Sequence, residues 1–228
     1  GLSRRTVGGP HELVSVGLGA SIPSVETEHL VLSFPAVADA YAWIFPRPGG
    51  VSVGIAYDGS RLSTGDAERL LSRLLDRRLP SARDLWGSGR RYRYPIPLYS
   101  PSTARSVARG VARRVLLVGD AAGIADPLTR EGIRYAALSG REAAAALAAG
   151  APETYPRRLA ALLGAEMERA RRASRLFFDR GLGQWMVPVC RYHGGIRAVL
   201  GDLLACRQPY GGLRRRLILA ALGSRGTH

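Results

Sequence analysis

Between residues 11 and 57 apolar positions recur with the short period of strands. HELVSVGLGASI and HLVLSF carry partial alternation, and YAWIFPRPGGVSVGIAY is two apolar runs joined by Pro-Arg-Pro-Gly-Gly. Such runs predict an antiparallel sheet, with a longer loop closing the hairpin. The period then changes. In TGDAERLLSRLLDRRLP, Leu70, Leu71, Leu74 and Leu75 share a helical face, Thr64 or Asp66 can cap, arginines fill the last turn and Pro80 stops the helix. RYRYPIPLY and the stretch 107–111 return to extended character, and Pro95 and Pro97 exclude a long central strand. VLLV at 115–118 suits a strand buried on both faces, and EGIRYAALSGREAAAALAAG is helical. A Gly/Pro break at 150–152 precedes an Arg-rich, mostly helical tail.

Charge adds a constraint. All 33 basic residues are arginine, and the chain carries a formal net charge of +15 with no lysine and no asparagine. Clustered cations would suit nucleic acid, but these arginines are spread along the chain with few aromatics among them, which argues against that partner. They favour smaller anions or lipid headgroups instead. Charges, Gly or Pro interrupt every apolar run before the roughly 18 to 20 residues that a spanning helix requires. The first residues, GLSRRTVGGPHELV, have neither an apolar core nor an initiating Met, so they do not read as a secretory signal; the start reads as internal. Cys190 and Cys206 are too few for a zinc site and read as two buried thiols in a reducing cytoplasm, so no metal is expected.

One short stretch concentrates chemistry. In VLLVGDAAGIADPLTREGI the apolar run ends in Gly119-Asp120, and small residues precede a helix beginning near 129–133. Asp120 can accept hydrogen bonds from hydroxyls. Ala121, Ala122 and Gly123 let a ligand approach the backbone, and the helix N-terminus presents free N–H groups with positive potential. The pattern fits a ligand site or a plain structural turn. No residue stands out as a general acid or base: His11, His29, His193 and His228 are scattered, and Ser139-Gly140 lacks the flanking glycines of a nucleophile elbow.

Residues VLLVGDAAGIADPLTREGIRYAALSG resemble the second flavin-binding segment of the geranylgeranyl reductase family of FAD-dependent oxidoreductases, related to the aromatic-hydroxylase flavoproteins. DAYAWIFPRPGGVSVGIA resembles the same family's sheet motif, and GLSRRTVGG is similar, over a short match, to the end of its Asp-Gly segment. The resemblance implies an α+β fold: an antiparallel substrate-binding sheet with one helix over 1–110, the C-terminal part of an FAD-binding α/β domain (strand, Gly-Asp turn, helix) over 111–151, and a helical region over 152–228. It implies FAD as cofactor, with NAD(P)H or another reductant as donor. Gly119, Asp120 and Ala121 would hold the ribityl and pyrophosphate side, and Pro127, Gly132 and Ile133 would lie by the isoalloxazine ring.

Tyr41, Trp43, Phe45 and Pro46 would line the substrate side, although the same aromatic strand also reads as plain core packing. Arg130 stands where the more familiar form of the loop has Gly, so it is either strained or reaches an anionic substrate. The family's first G-x-G-x-x-G segment is not found in this sequence. The resulting expectation is the C-terminal portion of an FAD-dependent oxidoreductase that reduces C=C bonds of a prenyl or other apolar small molecule. It would be cytoplasmic, with peripheral membrane contact through the basic helix GGLRRRLILAALG. The alternatives are an aromatic-hydroxylase-like monooxygenase and a non-catalytic remnant that binds lipid or a partner.

Overall fold

The computed structural model describes residues 13–35 and 39–223. The opening GLSRRTVGG, His11 and His228 lie outside them. The chain forms two compact units, one over Val14–Ile96 and the other gathering Leu13 with the residues from Pro97 onward. The division thus falls at 96/97 rather than at 110, and the segment 111–151 shares a unit with the helices that follow it.

The first unit is a five-stranded sheet built from β1 (Val14–Pro23), β2 (Val31–Ser33), β3 (Ala40–Arg47), β4 (Gly50–Asp58) and β5 (Arg90–Pro97), in the order β2-β3-β4-β1-β5. The hairpin β3–β4 pairs Arg47 with Gly50. Its loop is therefore the two residues Pro48-Gly49, tighter than the longer loop expected, because Gly49 takes φ +73°, where a side chain would be strained. β5 carries Pro95 and Pro97 at the edge of the sheet, where a missing N–H costs no ladder bond.

Strand alternation divides the sheet into two faces. Leu18, Ala20, Ile22, Ala42, Ile44, Val51, Val53 and Ile55 are buried together with Ala67, Leu71, Leu74 and Leu75 of helix α1 (Thr64–Arg78). The α1 cap is Ser63, whose Oγ accepts from the Asp66 amide at 3.1 Å. The cap thus sits one residue before Thr64, where a hydroxyl reaches the first free amides. A short helix α2 (Pro80–Asp84) follows, with Pro80 at its start, where its missing N–H is harmless.

The second unit holds α3 (Thr103–Ala112), a single turn α4 (Gly119–Ala122) and α5 (Ile133–Ala148). A continuous helix α6 follows over 155–179, then α7 (Leu182–Tyr192), α8 (Gly194–Leu204) and α9 (Leu213–Gly223). Two passages differ from the expectation. Residues 107–111 are helical, with Val107 buried against Leu117, Tyr155 and Leu163; valines and glycine had masked a helix that tertiary packing stabilises. Residues 115–118 have no regular secondary structure, Val118 alone being shown as extended, and among the described residues they form no strand. A branched apolar run satisfies burial in either state, whereas a strand also needs a neighbour for its ladder.

Candidate functional site

The Gly-Asp turn is built from its backbone outward. Gly119 has φ +54°, and a Cβ there would lie 3.0 Å from Ala136 Cβ on α5. Only glycine lets α4 seat this closely. The Gly119 amide donates to Ser139 Oγ at 3.0 Å, and that hydroxyl donates back to the Tyr135 carbonyl at 2.7 Å. Tyr155 fixes the run that leads into the turn by donating to the Leu117 carbonyl at 2.7 Å, and burial pushes its phenol up to about 12. Gly123, at φ +68°, ends the turn, and its carbonyl accepts from Thr103 Oγ1 at 2.9 Å.

With the turn held in this way, Asp120 and Ala121 remain exposed at its surface. Gly132, the residue before α5, lies against Asp120: a Cβ there would sit 3.1 Å from the carboxylate Oδ1. Ile133 at the helix start is 87% exposed. Gly119, Asp120, Gly132 and Ile133 therefore come together around one open edge at the start of α5. A carboxylate, positions without side chains and a helix N-terminus fit a ligand that combines hydroxyls with an electron-accepting ring, as the sequence resemblance implies.

Pro127 and Arg130 are placed differently. The loop from Asp126 to Glu131 closes on itself: the Asp126 amide donates to the Glu131 carbonyl at 2.8 Å and the Arg130 amide to the Asp126 carbonyl at 3.0 Å. Pro127 is buried, and its carbonyl accepts from Ser174 Oγ at 2.9 Å and from Arg130 Nη1. Arg130 has the positive φ, +60°, that was expected to strain it, and is 7% exposed. Its guanidinium lies 5.2 Å from the Phe178 ring centroid, and burial lowers its pKa to about 10. Expected on the substrate side, Arg130 is instead turned into the protein, where a carbonyl and an aromatic face offset part of its desolvation.

The buried anchor of this loop is Asp126, which was not singled out from sequence. Its Oδ1 accepts from the amides of Leu128 at 2.7 Å and Thr129 at 2.9 Å. The Tyr210 hydroxyl lies 2.9 Å from both carboxylate oxygens. Burial raises the Asp126 carboxyl above its ordinary range, against these hydrogen bonds. An Asp followed by Pro and by two free amides is an Asx-type cap signal that could have revealed half of this arrangement. Tyr210, 84 residues away, left no such mark.

The aromatic residues of β3 belong to the other unit and form a row. Phe34, Tyr41, Trp43 and Phe45 follow one another at ring-centroid separations of 5.9, 6.0 and 6.1 Å. Tyr41, Trp43 and Phe45 are half-buried on the face opposite α1, so they do not form the packed core, which is made by the alternate residues. Gly19 and Gly54 line this face between the strands. A Cβ on Gly54 would collide with the Trp43 indole, and one on Gly19 with the Tyr92 ring. Trp43 Nε1 donates to Ser52 Oγ at 3.4 Å. Pro46 was expected in the same lining, but alternation places it on the opposite parity. It is exposed and borders an open cleft of about 500 Å³ with Glu26, Glu28, Arg47 and Pro48.

No family model matches the chain. Individual relatives do. It is 36% identical over 103 residues to the digeranylgeranylglycerophospholipid reductase of Methanothrix thermoacetophila, covering 44% of this chain and 24% of that protein. It is 35% identical over 113 residues to the chloroplastic geranylgeranyl diphosphate reductase of Arabidopsis thaliana, covering 49% and 22%. This chain is a relative of the geranylgeranyl reductases. A menaquinone reductase of Mycobacterium tuberculosis is 34% identical over 120 residues, covering 52% and 29%. The relation to the geranylgeranyl reductases spans about a quarter of the length of the curated proteins. The fold agrees with a geranylgeranyl bacteriochlorophyll reductase-like protein of Thermoplasma acidophilum at a TM-score of 0.51 and 19% identity, over 75% of this chain and 45% of that one.

Proposed function

We propose that this chain is part of an FAD-dependent oxidoreductase that reduces C=C bonds of a prenyl chain. The observation that carries the reading is the identity of 34 to 36%, over about half the chain, to reductases named for geranylgeranyl substrates and for menaquinone. The open edge around Asp120 is consistent with it. Asp120 would accept hydrogen bonds from the ribityl hydroxyls, and Gly119 and Ala121 would allow close approach. Gly132 and Ile133, at the positive end of α5, would favour negative charge on the ring. FAD supplies the hydride when bound, and NAD(P)H or another reductant replenishes it. Tyr41, Trp43 and Phe45 offer an apolar face to an aliphatic chain, and the buried loop anchored by Asp126 and Tyr210 stiffens the backbone that leads to Gly132.

The test is an absorption titration of the full protein that carries this chain with FAD, followed by incubation with a geranylgeranyl substrate and a reductant. Retained flavin bands and a mass gain of one hydrogen pair per double bond are expected. Absence of both flavin binding and mass gain overturns the reading.

A further inference from the structure

Helix α7 is apolar on both sides. Met186, Val187 and Cys190 turn half-buried toward the rest of the unit. Leu182, Trp185, Val189 and Tyr192, spaced by three and four residues, form a second stripe that faces solvent, with exposures of 42, 78, 41 and 81%. On a helix such spacing lines up one face. A helix of a water-facing surface carries polar residues on that side, so an apolar outward stripe marks a surface for association.

The neighbourhood repeats the pattern. α8 packs against both α7 and α9. Gly195 allows α8 to approach α9, since a Cβ there would lie 3.1 Å from the Ala220 carbonyl oxygen. α9 in turn leaves Ile218, Leu219 and Leu222 about half exposed, at 48, 55 and 58%. Its half-buried apolar residues are Leu213, Leu217, Ala220 and Ala221.

Charge selects the occupant. Between residues 175 and 223 the chain has eight arginines against two aspartates, and Asp202 is already held by Arg207 at 2.7 Å. A second copy of this face would bring like charges together. An anionic lipid surface supplies the opposite charge, and it accommodates indole and phenol rings at the headgroup level, where one end is apolar and the other wet. No helix among the described residues is long and apolar enough to cross a bilayer, so the helices would lie in its plane.

We propose that the outward stripe of α7, supported by the outward residues of α9, docks this protein on the surface of an anionic bilayer. The expected contact through the basic C-terminal helix is thereby extended, with Trp185 and Tyr192 of α7 as the inserted groups. The surface does not depend on the reductase reading: a protein that binds no flavin would still dock.

The test is flotation of the protein with unilamellar vesicles of phosphatidylcholine, with and without phosphatidylglycerol. The protein is expected to float with the phosphatidylglycerol vesicles and to be released by salt. Loss of two exposed aromatic groups in a Trp185→Ser, Tyr192→Ser variant of unchanged circular dichroism lowers partitioning roughly tenfold or more. A conservative Trp185→Phe variant keeps flotation while losing most of the tryptophan quenching by brominated lipids.

Four outcomes overturn the proposal: no flotation, equal binding to neutral vesicles, equal flotation of the serine variant, and quenching unchanged by Trp185→Phe. So does a stripe-dependent dimer that ignores vesicles.

Discussion

The Tyr210 hydroxyl sits 2.9 Å from each oxygen of the Asp126 carboxylate, in a site where Asp126 is 2% and Tyr210 7% exposed. The Leu128 and Thr129 amides and the Thr129 side chain also donate to this buried carboxylate. Removing the hydroxyl leaves the buried carboxylate with one donor fewer, the Leu128 and Thr129 amides and the Thr129 side chain remaining. Tyr210→Phe should destabilise the protein by about 1.5–3 kcal/mol, read by urea denaturation. A loss of only a few tenths would mean that the pair does not hold the loop.

The same pair makes a pH prediction. Burial raises the Asp126 pKa in the folded protein, so the folded state binds this proton more tightly than the unfolded chain does. The contribution is fully present below the unfolded carboxylate pKa of about 3.9 and is lost as pH rises through the raised folded value. Asp126→Asn cannot titrate. Its melting temperature should fall less between acidic and neutral pH than that of the parent, and parallel profiles would contradict the assignment.

Gly54 faces Trp43 and the backbone of β1. A Cβ would overlap the indole and lie 2.7 Å from the Leu18 carbonyl oxygen. Gly54→Ala therefore overpacks a fixed ring against a ladder and should cost about 1–3 kcal/mol. Circular dichroism during thermal melting would show it, together with a change in tryptophan emission. An unchanged melting temperature would mean that the sheet yields there at little cost.

Asp120 and Gly119 are adjacent but should respond differently. Asp120 is exposed, so Asp120→Ala should change stability by no more than about 0.5 kcal/mol while flavin affinity falls severalfold on the proposed reading. Gly119 is buried at φ +54° against Ala136, and Gly119→Ala should cost about 1–2 kcal/mol as well as weakening flavin. Paired melting and FAD titration separate the two. Equal flavin affinity in parent and Asp120→Ala would remove Asp120 from the cofactor site.

Period and turn composition carried a good deal of the architecture. The β3–β4 hairpin, α1 with its leucine face, and α5 were legible because each is decided by residues close in sequence. Ambiguity began where local preference and tertiary demand diverge. Residues 107–111 carry valines that suit a strand but pack as a helix, and 115–118 pair with no strand among the described residues.

The sequence by itself determined the two-faced sheet and the Gly-Asp turn before a helix, because alternation, helical spacing and glycine act over a few residues. Only the tertiary structure decided which way Arg130 points and that Tyr210 reaches Asp126. It alone showed that Pro46 leaves the aromatic row and that α7 keeps an apolar stripe outward. Those outcomes depend on which distant residues share a dehydrated space, where an ion must find a partner and an apolar face must be either covered or left exposed.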